Sequence, residues 1–273
     1  QGRAQANSSE TLGAVTLVEG HNNIFANDAD IGIGSGVLTI ASLTRSVGSV
    51  ATLRFNNAGD FGLIGTRGRV MITAAPTLTN NIIGAWAVVD RELASYDTTY
   101  GVGTLNQTGF AGYSANSIYN AGATDNIRLG AVGTTNLAAN TTVGTLTFGQ
   151  QNAATTLDLG TNTLTVQGGA LVFGQATDNV TFTVQNGNVT GPSGGGDLYI
   201  HHLNYGGTNR LVTMNAAITD NGGAVRVIKT SGDTGASVMT WNGTNTFTGG
   251  LVIDQGTVTL GATGTLNGGG GTT

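Results

Sequence analysis

The stretch Leu157-Asp158-Leu159-Gly160-Thr161-Asn162-Thr163-Leu164-Thr165-Val166-Gln167-Gly168-Gly169-Ala170-Leu171-Val172-Phe173 returns a pair of apolar residues every seven positions, with one residue inside each pair. Alternation sends Leu164 and Val166 to one side of a strand and Thr165 to the other, the period of a strand buried on one face. Seven residues leave no room for a helical crossover, and Gly160-Thr161-Asn162 and Gly168-Gly169 read as corners. The same spacing returns at Leu251/Ile253 and Val258/Leu260. Two architectures accommodate it. One is an antiparallel meander of hairpins. The other is a solenoid, in which each corner turns the chain onward and a strand pairs with another a full coil away. Few charged hairpin tips and few Asn-Gly turns, with Asn186-Gly187 and Asn242-Gly243 as exceptions, favour the solenoid.

Composition agrees. Glycine supplies 46 of the 273 residues and proline only 2, so turns are cheap and little interrupts a hydrogen-bond ladder. Charged residues make up 9% of the chain, where about 25% is usual, so hydroxyls and amides must carry solubility. A net charge of -5 with one lysine, Lys229, excludes a basic stripe for nucleic acid. The chain has no cysteine, hence no disulfide, thiolate nucleophile or Cys-ligated zinc. No apolar run is long enough to span a bilayer as a helix. Residues Gln1 to Glu10 lack the order of an export signal, so an exported protein is expected to carry that signal outside this sequence.

Wound at roughly 20 to 25 residues per coil, with strands about 4.8 Å apart, the chain is expected to form on the order of a dozen coils in a rod about 55 Å long. Residues 1–273 are expected to form one all-β solenoid domain. Val37–Ile40, Val50–Phe55 and Arg69–Thr73 read as strands of the first half. Residues 90–126, with Tyr96, Tyr100, Phe110, Tyr113 and Tyr119, read as a lateral loop excursion, because so short a stretch rarely builds its own core.

Near the C-terminal end, Gly243-Thr244-Asn245-Thr246-Phe247-Thr248-Gly249-Gly250, then Leu251-Val252-Ile253 and Gly256-Thr257-Val258-Thr259-Leu260, resembles the autotransporter-associated β-strand repeat across residues 243–266. Ile82–Ala87 with Tyr96-Asp97, and the run Leu157–Phe173, look like segments that precede such repeats. The resemblance implies a right-handed parallel β-helix, export, and a role in surface display, adhesion or assembly at the bacterial surface. It implies no catalytic residues and no cofactor. The sequence contains no recognisable outer-membrane translocator, which leaves the secretion route open. No capping helix or charged edge is visible after Leu260, and Gly268–Thr273 form a short Gly- and Thr-rich tail. The final strands are therefore expected to continue into further repeats or to pair with another copy, and pairing that does not close gives a filament.

Catalysis on a β-helix needs acids and bases converging on one sheet. Asp28 with Asp30, or Asp90, Glu92 and Asp97 near Arg91, form conceivable sets, but solvated turn carboxylates are the expectation. His201 and His202 are adjacent, so they point to opposite faces and do not chelate one metal. They are expected at the surface or at a subunit contact, and His21 is remote in sequence. Gly194-Gly195-Gly196-Asp197 is too isolated to build a calcium-binding repeat. Thr163/Thr165, Thr181/Thr183, Thr246/Thr248 and Thr257/Thr259 are expected to form outward ladders that stabilise neighbouring strands, with ordering of ice-like water a remote option. Trp86, Tyr96, Tyr100 and Tyr113 are the candidates for stacking on surface glycans, with packing of the excursion onto the solenoid the favoured reading of these rings.

Overall fold

A computed structural model describes residues 7–26, 35–56, 68–130, 132–149, 153–174, 180–203, 211–232 and 237–266. Among these residues there is no helix. Contacts divide the chain into two compact units, Gln1–Gly112 and Tyr113–Thr273.

In the first unit, β1 (Ser8–Leu12), β2 (Val15–Leu17) and β3 (His21–Phe25) make one coil. The next is β4 (Gly36–Ile40), β5 (Leu43–Arg45) and β6 (Thr52–Asn56), and β7 (Arg69–Ile72) and β8 (Ala87–Val89) extend the first and third rows. Pairing is parallel along β1-β4-β7, β2-β5 and β3-β6-β8. Ser8 lies beside Gly36 and Leu53 beside Ala87, so a coil here takes 28 to 34 residues. Leu53, Phe55, Val70, Ile72 and Val89 fill the interior. β9 (Glu92–Asp97) and β10 (Gly101–Thr104) depart from the coil pattern, since β8, β9 and β10 join as antiparallel hairpins. Within the segment 90–126, expected as a loop, residues 92–104 are therefore largely paired sheet. Leu93, Ala94, Tyr96 and Val102 of these strands are buried.

The second unit is more regular. Its strands are β11 (Asn126–Leu129), β12 (Gly133–Asn136), β13 (Thr141–Phe148), β14 (Thr155–Asp158), β15 (Thr163–Gly174), β16 (Thr181–Gln185), β17 (Asn188–Thr190) and β18 (Gly196–Leu203). They continue as β19 (Leu211–Met214), β20 (Ala217–Thr219), β21 (Val225–Ser231), β22 (Val238–Trp241), β23 (Thr244–Asn245), β24 (Leu251–Ile253), β25 (Thr257–Leu260) and β26 (Thr265–Leu266). Two parallel ladders run the length of the unit, β11-β13-β15-β18-β21-β24 as face one and β12-β14-β16-β19-β22-β25 as face two. A third face is built from the first halves of β13 and β15, then β17 and β20, with β23 pairing β26.

Three faces per coil explain the seven-residue spacing. Leu157 belongs to face two, Leu164 and Val166 to face three, and Leu171 and Phe173 to face one, and all five are 0% exposed. β13 and β15 each turn from face three onto face one through a glycine corner, at Gly144 and Gly168, where the register shifts. A Cβ on Gly168 would stand 2.5 Å from the Gly144 carbonyl oxygen, so only glycine lets the two backbones pass this closely. Asn126 pairs with Thr145 and Thr183 with Thr213, so coils vary from 19 to 30 residues. Coils this long, and longer still in the first unit, give fewer turns than the dozen expected from about 20 to 25 residues each.

Inside, like residues stack on like. Leu157, Val184, Met214 and Trp241 occupy one register row, and Leu164, Val189 and Ile218 another. Phe148 and Phe173 stack with centroids 4.8 Å apart at 25°. Leu164→Asp places an unpaired carboxylate in this dry column and is expected to cost at least about 3 kcal/mol. Thr165→Asp, one residue on and facing outward, is expected to cost less than about 1 kcal/mol. Urea unfolding of both variants measures the difference, and equal losses would contradict this placement of Leu164.

Candidate functional site

The four aromatic candidates differ in burial and in contacts. In the first unit Tyr96 is 9% exposed, and its hydroxyl donates to the Ile72 carbonyl at 2.7 Å while accepting from the Ile72 N–H at 3.1 Å. Its ring belongs to the core, so it has no face to offer a sugar. Trp86 is half-buried, packed against Gly84, with the Arg45 guanidinium 5.5 Å from its ring centroid. Tyr100 is half-buried against Gly109 and against Phe110, at 6.1 Å between ring centroids. Tyr113 belongs to the second unit, where its hydroxyl donates to Thr147 Oγ1 at 3.2 Å. The alternation of β9 could have flagged Tyr96, which sits two residues from Ala94 on the inward side.

Several aspartates are held by internal donors. Asp97 Oδ1 accepts from the Thr99 and Tyr100 N–H groups, closing the turn between β9 and β10. Glu92 is 4% exposed at the start of β9, not a solvated turn carboxylate. Asp28 and Asp30 lie outside the described residues, as does the tail Gly268–Thr273. Asp197, after the glycine run, accepts two hydrogen bonds from Arg226, at 2.8 and 3.0 Å, and one from the Tyr199 hydroxyl. That pairing raises the guanidinium above its ordinary range. Asp220 binds the N–H groups of Val225 and Thr248 and the Thr248 hydroxyl. Its desolvation is the largest single influence and pushes upward, yet the three bonds together hold it below the usual carboxylate range.

His201 and His202 do face opposite sides of β18, but both are 0% exposed rather than superficial. His201 Nδ1 is 3.1 Å from Thr230 Oγ1, and its ring stacks on Tyr199. His201 stands on the outward side of face one in a row with Thr147, Val172 and Thr230, and all four are 0% exposed. A strand sequence alone cannot show that its outer side is covered.

The most unusual group is Lys229. It stands where the inward row of β21 would carry another aliphatic, beside Ile200 on one coil and Ile253 on the next, and is 0% exposed. Its Nζ donates to the carbonyls of Ser237 at 3.1 Å and Gln255 at 2.9 Å, tying together two corners of successive coils. Ser231 and Ser237 hydroxyls sit 2.6 Å apart nearby. Gly256 leaves room for the ammonium, since a Cβ there would collide with it. The alternation Val225, Val227, Lys229 places the lysine on the inward side, a signal present in the sequence. Burial lowers its pKa to about 8. The unfolded chain keeps an ordinary lysine, so between these values the unfolded state holds a proton that the folded state has lost. Stability therefore rises with pH from about 8 to about 10.4, by on the order of 3 kcal/mol in all. In Lys229→Met this rise is expected to vanish, and urea unfolding of both proteins at the two ends of the window checks it.

No family model matches the chain, and no solved structure does. The adhesin BmaC autotransporter of Brucella suis biovar 1 (strain 1330) is 28% identical over 277 residues, covering 95% of this chain. The chain is a distant homologue of an autotransporter adhesin. It spans only 7% of the length of BmaC. The likeness to BmaC extends into both units, and both are wound from parallel coils.

Proposed function

We infer that this chain is one stretch of a surface-displayed autotransporter passenger, and that its role is to hold a long β-solenoid away from the cell. The observation that carries this reading is the unbroken parallel ladder of the second unit together with homology to an adhesin many times longer. The winding is taken as right-handed, as about 98% of crossovers between parallel strands are. A non-enzymatic role is supported by the engagement of Asp97, Asp158, Asp197 and Asp220 with internal donors. Stacking of further coils is supported by inward-row residues at the rims, where Leu12 is 50%, Ile253 39% and Leu260 44% exposed. The same rims are the surfaces through which copies of the chain would pair into a filament, and light scattering that stays at monomer mass at every concentration would remove that possibility. An antibody against residues 113–266 should label intact producing cells. Label seen only after permeabilisation would sink the surface assignment.

A further inference from the structure

Each strand of face two carries one outward threonine in unbroken register, Thr134, Thr156, Thr183, Thr213, Thr240 and Thr259. All six are exposed or half-buried. Two positions earlier runs a row of apolar and threonine side chains, in which Val132, Leu211 and Val238 are 55%, 48% and 36% exposed. Two positions later runs a polar row, Asn136, Asp158, Gln185, Asn215 and Asn242. Four of these are joined in pairs, Gln185 Nε2 to Asp158 Oδ2 and Asn242 Nδ2 to Asn215 Oδ1, both at 2.8 Å. Asn186 and Gly160 also donate to Asp158, and the bonds from Asn186, Gln185 and Gly160 hold its carboxyl below the usual range.

These rows constrain what can bind. Threonine is stiff at χ1, so the hydroxyls are ordered before any partner arrives. The face repeats about every 4.8 Å along the coil axis, and only a partner that also repeats in one direction can engage all six threonines. The three rows contain no Lys, Arg or Glu, and the single carboxylate is already satisfied, so a charged partner gains nothing here. The face measures roughly 24 by 13 Å, or about 300 Å². A stable protein complex buries about 800 Å² per partner, so a second copy or a globular protein would be held too weakly by it. An apolar row, a hydroxyl row and an amide row side by side match a neutral polyol chain, whose C–H surfaces seek the first and whose hydroxyls seek the others.

We propose that face two of the second unit binds a neutral, unbranched polysaccharide laid along the coil axis, with the threonine row as its central contact. The inference goes beyond the passenger reading and does not depend on it. Cellulose, curdlan, mannan and chitin serve as probes in pull-downs with the full chain. Retention on at least one of them, equal at low and high salt, is the expected result. The triple variant Thr183→Val, Thr213→Val, Thr240→Val keeps branching and volume and removes three hydroxyls, so retention should fall more than about tenfold. An unchanged melting temperature would show that the variant is folded. The proposal is overturned by absence of retention on all four probes, by retention that high salt abolishes, or by equal retention of the folded variant. Inhibition of ice recrystallisation by the parent chain but not by the variant would also overturn it, assigning the face to a water lattice instead.

Discussion

The second unit depends on one constraint, that inward side chains in the same register of successive coils must fill the same space. Parallel pairing brings Leu157, Val184, Met214 and Trp241 into one row, so each coil is a template for the next. Interiors pack at crystal-like density, and a row tolerates a change of size only where a neighbouring row yields. Trp241 illustrates this, with Phe247 meeting its ring edge-on at 84° in the following corner. Lys229 is the exception, a charge set into an aliphatic row and kept soluble in the interior by two backbone carbonyls. Such a group costs stability wherever it is charged, which suits a tie between corners better than a packing role.

Much of this architecture was legible in residues 157–173, because inward pairs and glycine corners are both local features. The coil length was not. Corners differ in size from coil to coil, and nothing in the composition of Gly160-Thr161-Asn162 says how many residues the next corner will take. Strand direction near β8 to β10 was hidden for a related reason. The turn between β9 and β10 is closed by the Asp97 carboxylate capping the Thr99 and Tyr100 N–H groups, so no Asn-Gly pair marks it. Aromatic density there suggested a loop, whereas Tyr96 supplies core volume and a hydrogen bond to Ile72.

The candidate site was less legible because exposure is a tertiary property. Alternation correctly separated His201 from His202, yet it could not say that the outward row around His201 is buried. The same limit applied to the aromatic candidates, chosen by residue type, of which Tyr96 is buried in the core. Threonine pairs fared better. Thr183 and Thr259 fall in the ladder of face two, and Thr165 falls in a second ladder with Thr142, Thr190 and Thr219 on face three. Thr248 instead caps Asp220, and its neighbour Thr246 lies outside any strand.

Threonine in a strand needs no functional explanation on its own, since β-branched residues suit a pleated surface. What strand propensity does not explain is the difference between faces of the same unit. Face one carries Arg128, Asp197 and Arg226 on its outward side and buries its central rows, while face two confines charge to one saturated carboxylate and leaves its rows in water. Inward residues are fixed by packing, so a solenoid can vary only its outward rows without changing its fold. The uncharged ladder of face two lies where the coil architecture imposes least, and its uniformity along six strands is therefore the feature of this molecule least accounted for by folding.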